Sequence, residues 1–338
     1  MQTILVTGAG GFIGSFLCKR VLETSSANVV GLDSLNDYYA PALKEARLRM
    51  LRDLDVQHRF TFVHGDITDA PLIEELFSQY KFDIVVNLAA QAGVRYSIDN
   101  PRAYVDSNLI GFFNILEACR SYPVGHLVFA SSSSVYGGNF KTPFSEDDPV
   151  DHPVSLYAAT KRSNELMAYA YSKLYTIPCT GLRFFTVYGP MGRPDMAYFK
   201  FADKITRGEP IQLYNRGDMR RDFTYIDDVV AATQAIMQKA PCDDGRGAKF
   251  EVYNVGNSRP ENLVDFVRVL EDLLLDEGVI KNRPEHQLRP MQPGDVCQTY
   301  ADTAKLERDF GFRPTTELAV GLRAFVQWYR SYYFDQVG

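Results

Sequence analysis

Tyr157 and Lys161, in the run Tyr157-Ala158-Ala159-Thr160-Lys161, are a pair whose types and spacing suit proton transfer. In a helix the i,i+4 spacing sets both side chains on one face. A phenol would have to fall from a pKa of about 10 to about 7, a change of about 4 kcal/mol, to serve as a base near neutrality. A neighbouring ammonium acts in that direction by favouring the phenolate. Taken alone, the spacing fits an ordinary surface pair equally well. A second group is Ser131-Ser132-Ser133-Ser134-Val135-Tyr136-Gly137, directly after a strand-like run. Its hydroxyls should emerge at the carboxyl edge of a sheet, where ligands bind, unless the run is only a flexible polar loop. The third group is Gly8-Ala9-Gly10-Gly11-Phe12-Ile13-Gly14, between a strand and an apolar-periodic helix. Free backbone N–H groups and the positive helix end can receive a pyrophosphate there. Gly8, Gly11 and Gly14 follow G-x-x-G-x-x-G, a departure from G-x-G-x-x-G, although Gly10 also supplies that register. Asp33 ends the next strand, where a carboxylate binds a ribose diol and repels a 2′-phosphate, so the dinucleotide expected is NAD. The positive charge of its oxidised nicotinamide would also favour a phenolate at Tyr157. Asp66, after the third strand, either meets the adenine amino group or makes an Asx turn or helix cap.

The elements needed to position these groups are legible. Ile4–Thr7, Val29–Asp33, Phe60–His64, Ile84–Leu88 and Leu127–Ala130 read as short strands, each followed by a helical pattern. Such alternation predicts an α/β fold, a Rossmann-like doubly wound parallel sheet. Asp83-Ile84-Val85-Val86-Asn87-Leu88 is apolar without alternation, as a strand covered on both faces should be. Long helices are expected over 41–54 and 156–174. Further on the rhythm loosens, and Phe250 to Val255 reads as a strand returning to the first sheet. The expected organisation is therefore a dinucleotide domain of residues 1–182 plus about 225–256, and a smaller C-terminal α/β substrate lobe of about 183–224 plus 257–338.

Composition narrows the class. The 338 residues carry a net charge of -6, with 46% apolar and 23% charged residues, which leaves no basic footprint for nucleic acid. Cys18, Cys119, Cys179, Cys242 and Cys297 form no CxxC pair and read as reduced packing residues. His58, His64, His126, His152 and His286 lack metal-ligand spacing, so no metal is expected. No apolar run approaches the roughly 18 residues of a membrane span, and no secretion signal is visible, which points to the cytoplasm. Leu318, Leu322, Phe325, Val326 and Tyr329 follow helical spacing and read as packing.

Together, Gly8 to Gly14, Asn87-Leu88-Ala89-Ala90, the serine run and the Tyr157/Lys161 pair resemble the extended short-chain dehydrogenases/reductases over essentially the whole chain. Two longer strings are similar to those of UDP-glucuronate 4-epimerases: Asn36-Asp37-Tyr38-Tyr39 with Leu43-Lys44-Glu45-Ala46-Arg47-Leu48, and Arg183 through Met196.

By that resemblance Tyr157 is the base, Lys161 its electrostatic partner and holder of the nicotinamide ribose, and Ser132 the assisting hydroxyl at the sugar O4. The cofactor walls would include Phe12, Ile13, Asn36, Ile67, Leu88, Ala89, Ala90, Gln91, Asn108 and Phe184. The implied reaction oxidises carbon 4 of a UDP-sugar to a transient ketone and reduces it from the opposite face. A 4-keto uronic acid loses carbon dioxide if its carboxylate bond aligns with the carbonyl, and Ser133, Ser134 and Thr186 are expected to hold it out of alignment. Related dehydratases and decarboxylases place acids where Ser133 and Ser134 stand. Arg221 resembles a diphosphate clamp with Arg193 as second cation, although Arg221 alone would read as an ion pair with Asp218 or Asp222. Gln212 and Tyr214 are assigned to uracil, Asp295 to its ribose, and Arg95 to a phosphate, a carboxylate or a structural salt bridge. In such a family the helices around 101–120 and 156–174 form a homodimer interface. The alternatives are a UDP-glucose or UDP-N-acetylglucosamine 4-epimerase, a UDP-glucuronate decarboxylase and, more remotely, a noncatalytic NAD-binding sensor.

Overall fold

A computed structural model describes residues 1–291 and 297–335. Its strands are β1 (Thr3–Thr7), β2 (Asn28–Asp33), β3 (Phe60–His64), β4 (Ile84–Asn87), β5 (His126–Ser132), β6 (Cys179–Phe184), β7 (Thr186–Tyr188), β8 (Ile211–Leu213), β9 (Arg220–Tyr225), β10 (Phe250–Val255), β11 (Pro260–Asn262) and β12 (His286–Leu288). Seven of them form one sheet in the order β10-β6-β5-β4-β1-β2-β3, and every pairing in it is parallel. The expected doubly wound sheet is thus present, and Phe250–Val255 does rejoin it, beside β6.

Alternate strand residues serve opposite faces, which explains the unbroken apolar runs. Ile4, Val6, Val29, Val86 and Val128 pack with the helices Phe12–Thr24 and Ile226–Met237. Leu5, Val30, Val85, Leu127 and Phe129 pack with the helices Ala70–Tyr80 and Phe112–Ser121. The other strands make two small sheets, β11-β9-β7 and β12-β8. Around them a separate core joins Phe199, Phe266, Leu270, Leu322, Phe325, Val326 and Tyr329, so the C-terminal apolar stripe packs as expected.

The helix Leu156–Tyr175 lies against β5 and β6, and a buried ion pair fixes its position. Ser131 and Arg183 are register partners across β5 and β6. Arg183 donates to both Glu165 carboxylate oxygens, at 2.9 and 3.0 Å, and the Ser131 hydroxyl donates to the same carboxylate at 2.6 Å. Glu165 follows Lys161 by one helical turn, so the pair sets the axial position of the stripe carrying Tyr157 and Lys161. Burial pushes the Glu165 carboxyl up, but the Arg183 guanidinium and the Ser131 hydroxyl more than offset it and hold the group below the usual glutamate range.

Removing one partner leaves the other charge buried, so Glu165→Ala should destabilise the protein by about 3–5 kcal/mol in denaturant melts. Because the folded carboxyl has the lower pKa, its contribution is complete above the unfolded value of about 4.3 and is lost as the pH falls through the folded value. Denaturant midpoints should therefore fall on acidification less steeply in Glu165→Ala than in the wild type.

Candidate active site

At the carboxyl ends of the parallel strands lies a cavity of about 1090 Å³. That exceeds the roughly 300–1,000 Å³ of a site for one drug-sized ligand, leaving room for a dinucleotide and a second molecule. One half is built by the glycine turn. Gly8 has a φ of +74°, and a Cβ there would stand 2.9 Å from the Ala89 nitrogen. A Cβ on Gly14 would come within 2.1 Å of the Gly8 carbonyl oxygen. Both positions therefore exclude side chains for steric reasons. The helix Phe12–Thr24 begins at Gly11 with no side-chain cap, so its first N–H groups remain directed at the cavity. Asp33 accepts from the Gly10 amide at 3.0 Å and the Leu35 amide at 2.8 Å, which holds its carboxylate at the strand end beside the turn.

Most expected wall residues line this half, including Phe12, Ile13, Asn36, Asp66, Ile67, Leu88, Ala89, Ala90, Gln91 and Phe184. Two assignments take a different form. Asp66 makes the Asx turn, accepting from the Thr68 amide at 2.9 Å and hydroxyl at 2.8 Å, while still facing the cavity. Asn108 lies behind the wall: buried in the π-helical segment Val105–Gly111, it accepts from the Gln91 amide and donates to the Gln91 carbonyl and the Thr160 hydroxyl. It braces Gln91 and is not itself part of the cavity lining. Its position in a one-turn π-bulge, which the sequence pattern does not reveal, is what turns it inward.

Tyr157, Lys161 and Ser132 all line this same cavity. Ser155 caps the helix by accepting from the Ala158 amide at 3.1 Å, fixing its first turn. Burial pushes the Tyr157 phenol up, while a hydrogen bond with Ser132 and the charge of Arg193 pull it down. The Tyr104 ring packs edge-on, 6.0 Å away between centroids. Lys161 donates to the Ala130 carbonyl at 2.9 Å, and burial pushes its ammonium down to about 7. Ser132 caps the turn Ser133–Tyr136, accepting from the Ser134 amide and donating to the Ser134 hydroxyl, both at 3.1 Å. Beside it Ser133, Ser134 and Thr186 add neutral hydroxyls to the lining.

The far half is cationic. Arg95, Arg193, Lys200, Lys204 and Arg221 line it, with Gln212 and Tyr214. Arg193 is paired with Asp195 at 2.9 and 2.5 Å, and the Arg95 guanidinium stands 5.6 Å from the Tyr214 ring centroid. Arg221 donates to the carbonyls of Arg220 and Cys297 at 3.0 and 3.2 Å. The carboxylate of Asp222 is engaged elsewhere, accepting from the Asn257, Ser258 and Ala301 amides. Asp295 lies outside the described residues. Among the described residues no group of three or more His, Cys, Asp or Glu is placed to hold a metal, and no helix is long and apolar enough to cross a membrane.

Residues 4–256, more than half of the chain, match the model of the NAD dependent epimerase/dehydratase family. The chain belongs to that family. Protein CapI of Staphylococcus aureus is 48% identical, over 98% of this chain and 99% of its own. UDP-glucuronate 4-epimerase 4 of Arabidopsis thaliana is 46% identical, over 98% of this chain and 76% of its own. The crystal structure of UDP-glucuronic acid 4-epimerase from Bacillus cereus, in complex with UDP-glucuronic acid and NAD, matches with a TM-score of 0.87 at 34% identity, covering 98% of this chain and all of that one.

The family's cofactor suits the residues present: an uncapped helix end for the pyrophosphate, a turn that admits no Cβ, and an acid at the second strand's end. Sequence reasoning missed several cavity residues. Lys200 and Lys204 stand one helical turn apart in Ala197–Thr206, a spacing that was readable. Tyr38, Lys44, Phe185 and Asp195 also line the cavity. Tyr38 and Lys44 belong to the string that gave only Asn36, whose amide oxygen accepts from Lys44 at 2.8 Å.

Gly14→Ala should weaken NAD binding at least about tenfold, or about 1.4 kcal/mol, by titration calorimetry, since the added methyl collides with the backbone of the turn.

Proposed function

We propose that this protein is a UDP-glucuronate 4-epimerase, interconverting UDP-glucuronate and UDP-galacturonate. The observation that carries this reading is the company Tyr157 keeps: one cavity joins it to Lys161 and Ser132, and flanks Ser132 with the neutral hydroxyls of Ser133, Ser134 and Thr186. Bound NAD supplies a hydride acceptor that can return the hydride. Tyr157 takes the O4 proton as the sugar carbon is oxidised and gives it back when the ketone is reduced. Lys161, one turn along the helix, favours the phenolate and reaches the nicotinamide ribose. Ser132, bonded to the phenol, relays or steadies the proton at O4. The ketone turns over between the two half-reactions, while Arg193, Arg221, Lys200 and Lys204 hold the diphosphate.

The same hydroxyls account for the choice of a uronic acid. Ser133, Ser134 and Thr186 donate to the substrate carboxylate and keep its bond to the ring out of line with the carbonyl, which suppresses loss of carbon dioxide. An acid in those places would repel the carboxylate or drive an elimination. The match to the Bacillus cereus enzyme, solved with UDP-glucuronic acid, supports this substrate, as does the Arabidopsis relative. The reading includes a cytoplasmic homodimer. Ile110, Phe113 and Leu166, 49%, 43% and 55% exposed, offer apolar surface on the helices expected to pair.

Incubation with UDP-glucuronate followed by proton NMR should give UDP-galacturonate at equal total sugar; appearance of a pentose instead would assign a decarboxylase, and turnover of UDP-glucose alone a neutral-sugar epimerase. Tyr157→Phe should lower kcat by roughly 10²–10⁴-fold while NAD binding persists. Thr186→Val should raise the share of decarboxylated product.

A further inference from the structure

Arg47 is fully buried and ties together two walls of the cavity. Its Nη1 donates to the Gly10 carbonyl of the glycine turn at 3.0 Å and to the Tyr39 hydroxyl at 2.6 Å. Its Nε and Nη2 both donate to the Met191 carbonyl, at 3.0 and 2.6 Å, and Nη2 reaches the Gly192 carbonyl at 3.2 Å. All five hydrogen bonds go to neutral oxygens. A buried guanidinium is tolerated only where its donors are satisfied, so its geometry is closely specified. Met191 is held at a φ of +53°, an unfavoured region for a side-chain-bearing residue, and the paired bonds to its carbonyl secure that turn. Two and four residues on stand Arg193 and Asp195. Tyr38 reaches the same place, donating to Asp195 at 3.2 Å.

We propose that Arg47 is a positioning residue, a clasp that locks the loop 189–195 to the glycine turn, so that Arg193 is held beside Tyr157 and the dinucleotide is retained through the reaction cycle. Tyr38 secures the loop's far end through Asp195. This rests on Tyr157 acting as the base, but the retention half does not. An enzyme that borrows a hydride and returns it must keep both cofactor and ketone until the second half-reaction. A clasp joining the phosphate turn to the loop beside the phenol serves both needs.

The groups facing Tyr157 are Ser132 from β5, Tyr104 from Pro101–Tyr104, and Arg193 and Asp195 from the loop, with Lys161 one turn along its own helix. Arg193 favours the phenolate more than Asp195 opposes it. Loosening the loop therefore raises the phenol pKa, and activity is lost at a higher pH on acidification. A lysine lacks the planar fork and cannot reproduce the five bonds that join Gly10, Tyr39, Met191 and Gly192. Two quantities decide the proposal: NAD release on dilution, which needs no sugar, and the acid limb of kcat against pH. In Arg47→Lys, release should quicken at least about tenfold, kcat should fall by roughly 10- to 100-fold, and the deficit should shrink as the pH rises. In Tyr38→Phe the limb should shift the same way while retention stays near wild type. A folded Arg47→Lys protein in which either quantity keeps its wild-type value overturns the proposal. If Arg47→Lys does not fold, an unmoved limb in Tyr38→Phe does so. Should UDP-glucuronate not be turned over, the release measurement still decides the clasp, and the limb is read with whichever UDP-sugar is.

Discussion

Tyr157, Lys161 and Ser132 can share a proton only if the helix Leu156–Tyr175 stops sliding over the face of the sheet, and the buried contact of Glu165 with Arg183 and Ser131 is what stops it. Arg183 sits on the strand beside Ser131, in register with it, so one carboxylate reads the positions of two strands at once. Ser132 is the next residue on one of those strands, and Lys161 is one turn away on the helix. A buried pair of this kind adds little net stability over a well-packed apolar contact, but its hydrogen-bond geometry admits one register. Arg183 also donates to the Tyr136 hydroxyl, which donates to Asn254 on β10, so the constraint extends to the last strand of the sheet.

The rest of the cavity follows a similar division of labour. The parallel sheet supplies fixed strand ends, the glycine turn supplies backbone donors, and the smaller lobe supplies cations. Charge is distributed accordingly: a protein with a net charge of -6 gathers Arg193, Lys200, Lys204 and Arg221 in one half of a single cavity. Focusing of this sort recruits an anionic ligand without an overall basic surface. The cavity centre differs in that its titratable groups are buried. There burial draws Tyr157 and Lys161 toward their uncharged forms, and the neighbouring Arg193 opposes that tendency for the phenol.

The loop 189–195 joins the two halves. It leaves β7, turns through Met191 in a left-handed conformation, and delivers Arg193 and Asp195 to the edge of the reaction centre. Gly192 is packed so closely against Tyr198 that a Cβ there would overlap the phenol oxygen. Arg47 reaches this loop from the helix Pro41–Leu54, which otherwise belongs to the dinucleotide side. The two long strings that distinguish this chain within its superfamily are therefore physically in contact.

Local chemistry was enough to read the parallel sheet, the glycine turn, Asp33 at its strand end and the helix carrying Tyr157 and Lys161, because strand and helix periodicities and steric exclusion of side chains act over a few residues. Asp66 was legible only as two alternatives, and its Asx turn is what the folded chain adopts, still facing the cavity. What the amino-acid order alone could not decide were contacts closed over long separations. Asn108 is turned behind the wall by a π-bulge and bonds across to Gln91 and Thr160. Arg47 meets Met191 over 144 positions of the chain, and Arg183 meets Glu165 across the boundary between sheet and helix. A long polar side chain in a helix reads the same whether it faces water or spans a core; only the packing of other elements around it determines which carbonyls or carboxylates come within reach.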